Sequence, residues 1–265
     1  MEIKRSITIG QFIPTNSFIH RLDPRTKLLT TILLMIIIFF IKSILGYTLL
    51  FALLMLLVLL SKVSLRFFIN GLKPILFLII FTVILQIFFT KGKIIFSFWY
   101  IVITLEGLYA ALFIFLRLIL LVFSSSLLTL STSPMELTFA LEYLLTPFKY
   151  IGLPSSEISI MMTIALRFIP TILEETDRII KAQSSRGADF ESGNIFKRIQ
   201  SMIPILVPLF VSAFRRADDL AIAMEARCFQ VGAKRGHLKE MFFRKTDIVY
   251  LIIFSGFVIT ISIFC

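Results

Sequence analysis

Apolar residues fill positions 28–60 almost without a break, interrupted only by KSILGY at 42–47. At about 1.5 Å per residue this run would make a helix of roughly 50 Å, too long for one crossing of a hydrocarbon core about 30 Å thick. The pattern predicts two helices joined by a tight turn, over 28–41 and 44–60. A third span is expected over 74–90, closed by the polar KGK. A fourth is expected over 104–130, after Trp99 and Tyr100, an aromatic pair suited to a membrane interface. These four make an N-terminal membrane domain, residues 1–130, and a fifth span closes the chain over 246–265.

Between 131 and 245 the texture changes, for this segment holds 15 of the 27 basic and 12 of the 16 acidic residues. Ser133, Pro134 and Glu136 read as a capping box with proline at the first helical position. That helix should run to Leu145, before Pro147. A long amphipathic helix capped by Ser155 or Ser156 follows, with Ile158, Met161, Met162, Ala165, Ile169, Ile172, Leu173, Ile179 and Ile180 at three-to-four spacing. It should stop at Arg186–Gly187. A second carries Ile199, Ile203, Leu206, Phe210, Phe214, Ala217, Leu220 and Met224, with a break or kink expected at Pro204 and Pro208, and stops at Arg227–Cys228.

Composition decides the solvent. With 58% hydrophobic residues, 29 Phe and a mean hydropathy of +0.95, the 265-residue chain has more apolar surface than a soluble domain of this length can bury. The fold class expected is an all-α integral membrane protein of about five transmembrane helices plus a helical domain built on two long, crossing amphipathic helices. The net charge of +11 is unevenly placed: the connections 1–27, 61–73 and 131–245 hold 23 Lys and Arg, against three at Lys42, Lys91 and Lys93. The positive-inside rule puts the N-terminus and the 131–245 domain in the cytoplasm, and five crossings put the C-terminus outside, in a multi-pass protein of the cell membrane. The basic charge is accounted for in this way, and no nucleic-acid partner is expected. No removable signal peptide is expected from MEIKRSITIGQF. Cys228 and Cys265 fall on opposite sides of the bilayer, which argues against a disulfide.

An offset of 41 superposes Arg186 on Arg227 and Asp177 on Asp218, and places Glu174 and Glu175 against Arg215 and Arg216. If the two long helices cross there, opposite charges face each other and fix the crossing. The terminal arginines have two readings. A cation in the last turn suits the helix dipole, and Gly187 suits a left-handed exit. Alternatively, an exposed guanidinium on a helix tip suits docking into an acidic groove of a partner, where it can form paired bonds to a carboxylate. Elsewhere, Arg117 within the fourth span is expected to be neutralised by Glu106 or by a carboxylate of another helix, with the headgroup region within snorkelling reach, and Arg21, Arg25 and Lys27 to lie near anionic headgroups. His20 and His237 are far apart and without metal-ligand company, so no metal site is expected.

These motifs carry a family resemblance. SRG (Ser185, Arg186, Gly187) and ARC (Ala226, Arg227, Cys228) resemble the paired Ala-Arg-Gly-type motifs of the EcfT/CbiQ family, the transmembrane components of energy-coupling factor (ECF) transporters. HRLDPRTKLL at 20–29 resembles the entry to that family's first span. TSPMELTFALEYLLTPFKYIGLP at 132–154 resembles its first cytoplasmic helix, and IALRFIPTILEETDRIIKAQSSRG at 164–187 and RRADDLAIAMEARCF at 215–229 extend the match over nearly the whole chain. The resemblance implies a scaffold that works with two ABC-type ATPases and a small substrate-capture subunit (S-component) taking up a vitamin or a transition-metal ion. Arg186 and Arg227 would each enter a groove on one ATPase. ATP and Mg²⁺ would be bound by those partners, no cofactor by this chain. Cys228 departs from the family's glycine, so a left-handed cap there should cost more and the exit is expected to differ, with Gly232 and Gly236 as alternative turns.

Two rival classes are set against this. A membrane enzyme could use Asp218–Asp219 to hold Mg²⁺, which requires Glu174–Glu175 to complete the site. A self-sufficient permease would need a polar path, whereas the spans offer little beyond Gln86, Glu106 and Arg117. No GxxxxGK[ST] fingerprint is present, so a nucleotide would be hydrolysed elsewhere.

Overall fold

The computed structural model describes residues 12–98, 101–147, 154–188, 190, 194–230, 232 and 243–264. Trp99, Tyr100, Gly236, His237 and Cys265 lie outside them. The protein is built almost entirely of helices, and α3 (Ile44–Ser61), α4 (Leu65–Phe89), α5 (Leu105–Ser131) and α7 (Ser155–Ser185) are each long and apolar enough to cross a membrane. The chain divides into two compact units, Met1–Ala140 with Lys239–Cys265, and Leu141–Leu238.

In the first unit, α1 (Phe18–Arg21) leads into α2 (Pro24–Phe40). Asp23 caps α2 by accepting from the Arg25 N–H at 2.8 Å, with Pro24 at the first helical position, so this helix begins four residues before the expected 28. The turn at Ile41–Ser43 is closed by Ser43, whose hydroxyl accepts from Gly46 N at 3.1 Å and starts α3. The core joins α2, α3, α5 and α9 (Lys245–Phe264) through Ile38, Tyr47, Leu50, Leu54, Leu120 and Val258, all at most 2% exposed.

Three expectations change. The third span does not begin at Pro74: α4 starts at Leu65, because Phe68 buries completely and stacks on Phe123 at 5.7 Å. Pro74 is exposed inside the helix, where its missing N–H removes one backbone bond without ending it. A two-stranded antiparallel hairpin, β1 (Ile94–Phe98) and β2 (Ile101–Thr104), occupies the connection between α4 and α5, which an all-helical reading lacked. Glu106 does not meet Arg117. Its carboxylate accepts the Lys93 N–H at 2.6 Å, packed so closely against Gly92 that a Cβ there would collide with it. Arg117 instead donates from Nε to Tyr47 Oη at 3.2 Å and lies over the Phe39 ring.

Lys27 likewise does not present its ammonium to headgroups. It is 5% exposed, and its ammonium donates to the carbonyls of Ser131, the last residue of α5, at 2.9 Å, and of His20 at 3.3 Å. A cation buried on a helix C-terminus answers carbonyls that have no partner within the helix. At the same end, buried Asp247 accepts the Asp23 N–H at 3.1 Å and the Arg244 N–H at 2.8 Å, fastening the start of α9 to the start of α2. The signal that marks Asp247 in the sequence is an acid in a helix's first turn, reaching back to the capping residue.

Candidate functional site

The capping box of α6 (Pro134–Leu145) forms as the sequence predicts: Glu136 N donates to Ser133 Oγ at 3.3 Å, and Ser133 N to Glu136 Oε2 at 3.2 Å. In the second unit lie α7 and α8 (Ile195–Ala226). The N-cap of α7 is Pro154, not a serine, and no side chain caps it.

Pro204 and Pro208 do not break α8, which runs through both. Pro208 has no N–H to give the Pro204 carbonyl four residues earlier, and that freed carbonyl accepts a long 3.5 Å bond from Gln183 Nε2 of α7. Two turns earlier on α7, Glu175 Oε2 pairs with Arg216 Nη2 at 2.8 Å. Gln183 meets the early part of α8 and Glu175 the later part, so the two helices run antiparallel through this contact. The Ser212 hydroxyl, and after it Arg216, hold the Glu175 carboxyl below the usual carboxylate range. Both partners of the pair are about one-third exposed or less, 34% and 26%, so it is worth at most about 1 kcal/mol and serves mainly to set register. Glu174 and Arg215 have no ion pair among the described residues.

Arg186 lies eleven residues beyond Glu175 on α7, and Arg227 eleven residues beyond Arg216 on α8. Each arginine is therefore about 16 Å along its helix from the ion pair, and the antiparallel sense sends the two tips to opposite sides of it. The offset of 41 thus makes two arms of equal length about one charged contact.

Both tips close with the same backbone geometry. After α7, Gly187 takes φ +85°, with Gly187 N bonding Ser184 O and Ala188 N bonding Gln183 O, both at 3.0 Å. After α8, Cys228 takes φ +55°, with Cys228 N bonding Glu225 O at 2.8 Å and Phe229 N bonding Met224 O at 3.0 Å. These are two Schellman ends. The expectation of a different exit at Cys228 is therefore corrected: cysteine adopts the left-handed conformation itself, because two backbone bonds and a small side chain offset its steric cost. Gly232, at φ +78°, adds a second left-handed residue downstream and does not replace this cap. Cys228→Gly should relieve about 1 kcal/mol at this end. Amide exchange at Phe229 is then expected to slow about fivefold, and unchanged exchange would show that Cys228 carries no strain.

Ser185, Arg186, Gly187, Ala226, Arg227 and Cys228 are all exposed. Neither guanidinium has an ion pair among the described residues. Among the described residues of this unit only Ser159 and Ile205 are buried, while Ile199, Ile203, Leu206, Phe210 and Phe214 form an apolar stripe on α8 that stays exposed. Surfaces of this kind mark interaction sites. No group of three or more His, Cys, Asp or Glu suited to a metal ion occurs among the described residues.

Comparison with known proteins bears on this arrangement. Residues 15–238 match the family model CbiQ, described as a cobalt transport protein. The chain is 50% identical over 248 residues to a protein of Thermosediminibacter oceani, covering 94% of both chains, and 52% identical over 245 residues to one of Ruminiclostridium cellulolyticum, covering 92% of both. It is 47% identical over 250 residues to one of Staphylococcus aureus, covering 94% of this chain and 93% of the other. All three carry the name energy-coupling factor transporter transmembrane protein EcfT. A match of this extent, over a helical membrane chain with these paired arginine ends, places the chain in the CbiQ/EcfT family, the transmembrane components of energy-coupling factor transporters.

Proposed function

We propose that this non-catalytic membrane subunit couples two ABC-type ATPases to a membrane-embedded substrate-capture subunit, for uptake of a vitamin or a transition-metal ion. The observation that carries the reading is the pair of equal arms. Two exposed arginines project from identical helix ends, on opposite sides of the Glu175–Arg216 contact. A dimeric partner with two acidic grooves suits this spacing, and each guanidinium would enter one groove to make paired bonds with a carboxylate. ATP and Mg²⁺ belong to the partners in this reading. Closure of the ATPase dimer would draw the tips together, and the helices would carry that motion as levers. The exposed stripe of α8 and the methionines Met161 and Met162 of α7 offer an adaptable apolar surface for the capture subunit. In this reading α7, α8 and their charged connections lie on the cytoplasmic side with the N-terminus, and the C-terminus lies outside.

A photo-crosslinking residue placed at Ser185 or at Ala226 tests the docking. Each should capture an ABC ATPase in native membranes, without capturing the other position's helix. Capture of lipid or of the capture subunit alone at both positions would overturn it.

A further inference from the structure

In the membrane unit, α3 and α9 border an open groove of about 660 Å³ that includes Phe18 of α1. Leu56 and Leu60 wall it on the α3 side, and Val249, Ile253 and Phe257 on the α9 side. Its lining is apolar almost throughout, and Ile253 is 66% exposed. One end differs. There α9 begins and α3 finishes, and Lys245 joins the lining while Lys62 follows two residues after Leu60; both lysines are exposed.

Lys245 has no ion pair among the described residues. The nearest acid in sequence, Asp247, is buried and already accepts the backbone N–H groups of Asp23 and Arg244. The groove therefore presents an apolar trough ending at an exposed lysine with no ion pair among the described residues, on a chain that crosses a bilayer. From Val249 to Phe257 the trough runs about 12 Å, against about 15 Å for one leaflet of the hydrocarbon core. A partner's transmembrane helix would run on through both leaflets, past the end of the trough. An acyl chain needs one, and places its headgroup where the charge stands.

We propose that this groove is a binding site for an anionic phospholipid, with one acyl chain laid between α3 and α9 and the headgroup held at Lys245. Basic pockets between transmembrane helices have this use, and a lysine near the membrane surface discriminates about fivefold in favour of anionic lipid.

The test is native mass spectrometry of the full-length chain in detergent, titrated separately with dioleoyl phosphatidylglycerol and dioleoyl phosphatidylcholine. The two probes share their acyl chains and differ in charge. Wild type should hold the glycerol lipid about fivefold more tightly. Lys245→Gln should bring the two lipids to parity, and Lys245→Arg should keep the preference. Ile253→Trp, which fills the trough from an exposed position, should weaken both lipids without moving thermal unfolding. Equal binding of both lipids to wild type would reduce the site to ordinary boundary lipid and overturn the proposal. So would a preference that survives Lys245→Gln, or crosslinking of position 253 to another polypeptide in native membranes.

Discussion

Replacing Arg186 and Arg227 together by alanine is expected to abolish coupled uptake while the chain still folds and inserts. Both are exposed, both follow a helix end held by backbone bonds, and neither has an ion pair among the described residues. Removing them should therefore change the stability of the isolated chain by no more than about 0.5 kcal/mol. In the docked complex the same side chains would be hydrogen-bonded to carboxylates and shielded from water. Truncating one partner of such a pair costs about 2–5 kcal/mol, which is roughly 30-fold or more in affinity for each arginine. Reconstituted vesicles should show substrate uptake lost and ATP hydrolysis no longer linked to transport. Arg186→Lys should fall between, since a compact ammonium keeps the charge but not the planar fork. Normal uptake by the double variant would remove the arginines from the mechanism.

Asp247→Ala is expected to destabilise the membrane unit by about 3 kcal/mol. Asp247 is 1% exposed, and its carboxylate accepts two backbone N–H groups, one from Asp23 at the head of α2 and one from Arg244 at the head of α9. Hydrogen bonds to a charged group contribute about 1.5–3 kcal/mol, and alanine leaves both donors without this acceptor. A loss of about 3 kcal/mol corresponds to a fall in unfolding midpoint of roughly 5–10 °C. Thermal unfolding of the detergent-solubilised chain measures this. Asp247→Asn, which keeps an acceptor of the same shape, should lose about half as much. If alanine leaves the midpoint unchanged, the link between α2 and α9 is not held by this residue.

Much of the fold was legible because its signals are local. Two apolar runs separated by KSILGY can only be two helices, and Ser133 with Glu136 carries its cap in four residues. The ends of the two long helices were readable for the same reason, since each is a residue pattern followed by an arginine. The errors arose where a distant contact decides. Pro74 looked like a helix start, yet Phe68 stacking on Phe123 extends α4 back by nine residues. Lys27 looked like a headgroup ligand because its partner, the Ser131 carbonyl, lies 104 positions away. Arg117 was expected to find a carboxylate, on Glu106 or on another helix, whereas it is satisfied by Tyr47 and Phe39 from other helices. Cys228 was misread because propensity argues against cysteine at positive φ, and the two backbone bonds that outweigh it are visible only in three dimensions. At the candidate site, the sequence offset placed Glu174 and Glu175 against Arg215 and Arg216, and the structure pairs Glu175 with Arg216. The antiparallel sense of α7 and α8, which sends the two arginines to opposite sides, is read from two contacts far apart in sequence, Glu175 with Arg216 and Gln183 with the Pro204 carbonyl.

The central claim is that the two arginine ends hold ATPases, and the most direct measurement is affinity purification of the tagged chain from its native membranes in mild detergent. Mass spectrometry would identify what accompanies the wild type and what accompanies the Arg186→Ala, Arg227→Ala variant. ABC-type ATPases are expected with the wild type and lost from the variant, while a small membrane protein is retained by both. ATPases recovered equally with both forms, or with neither, would contradict the claim.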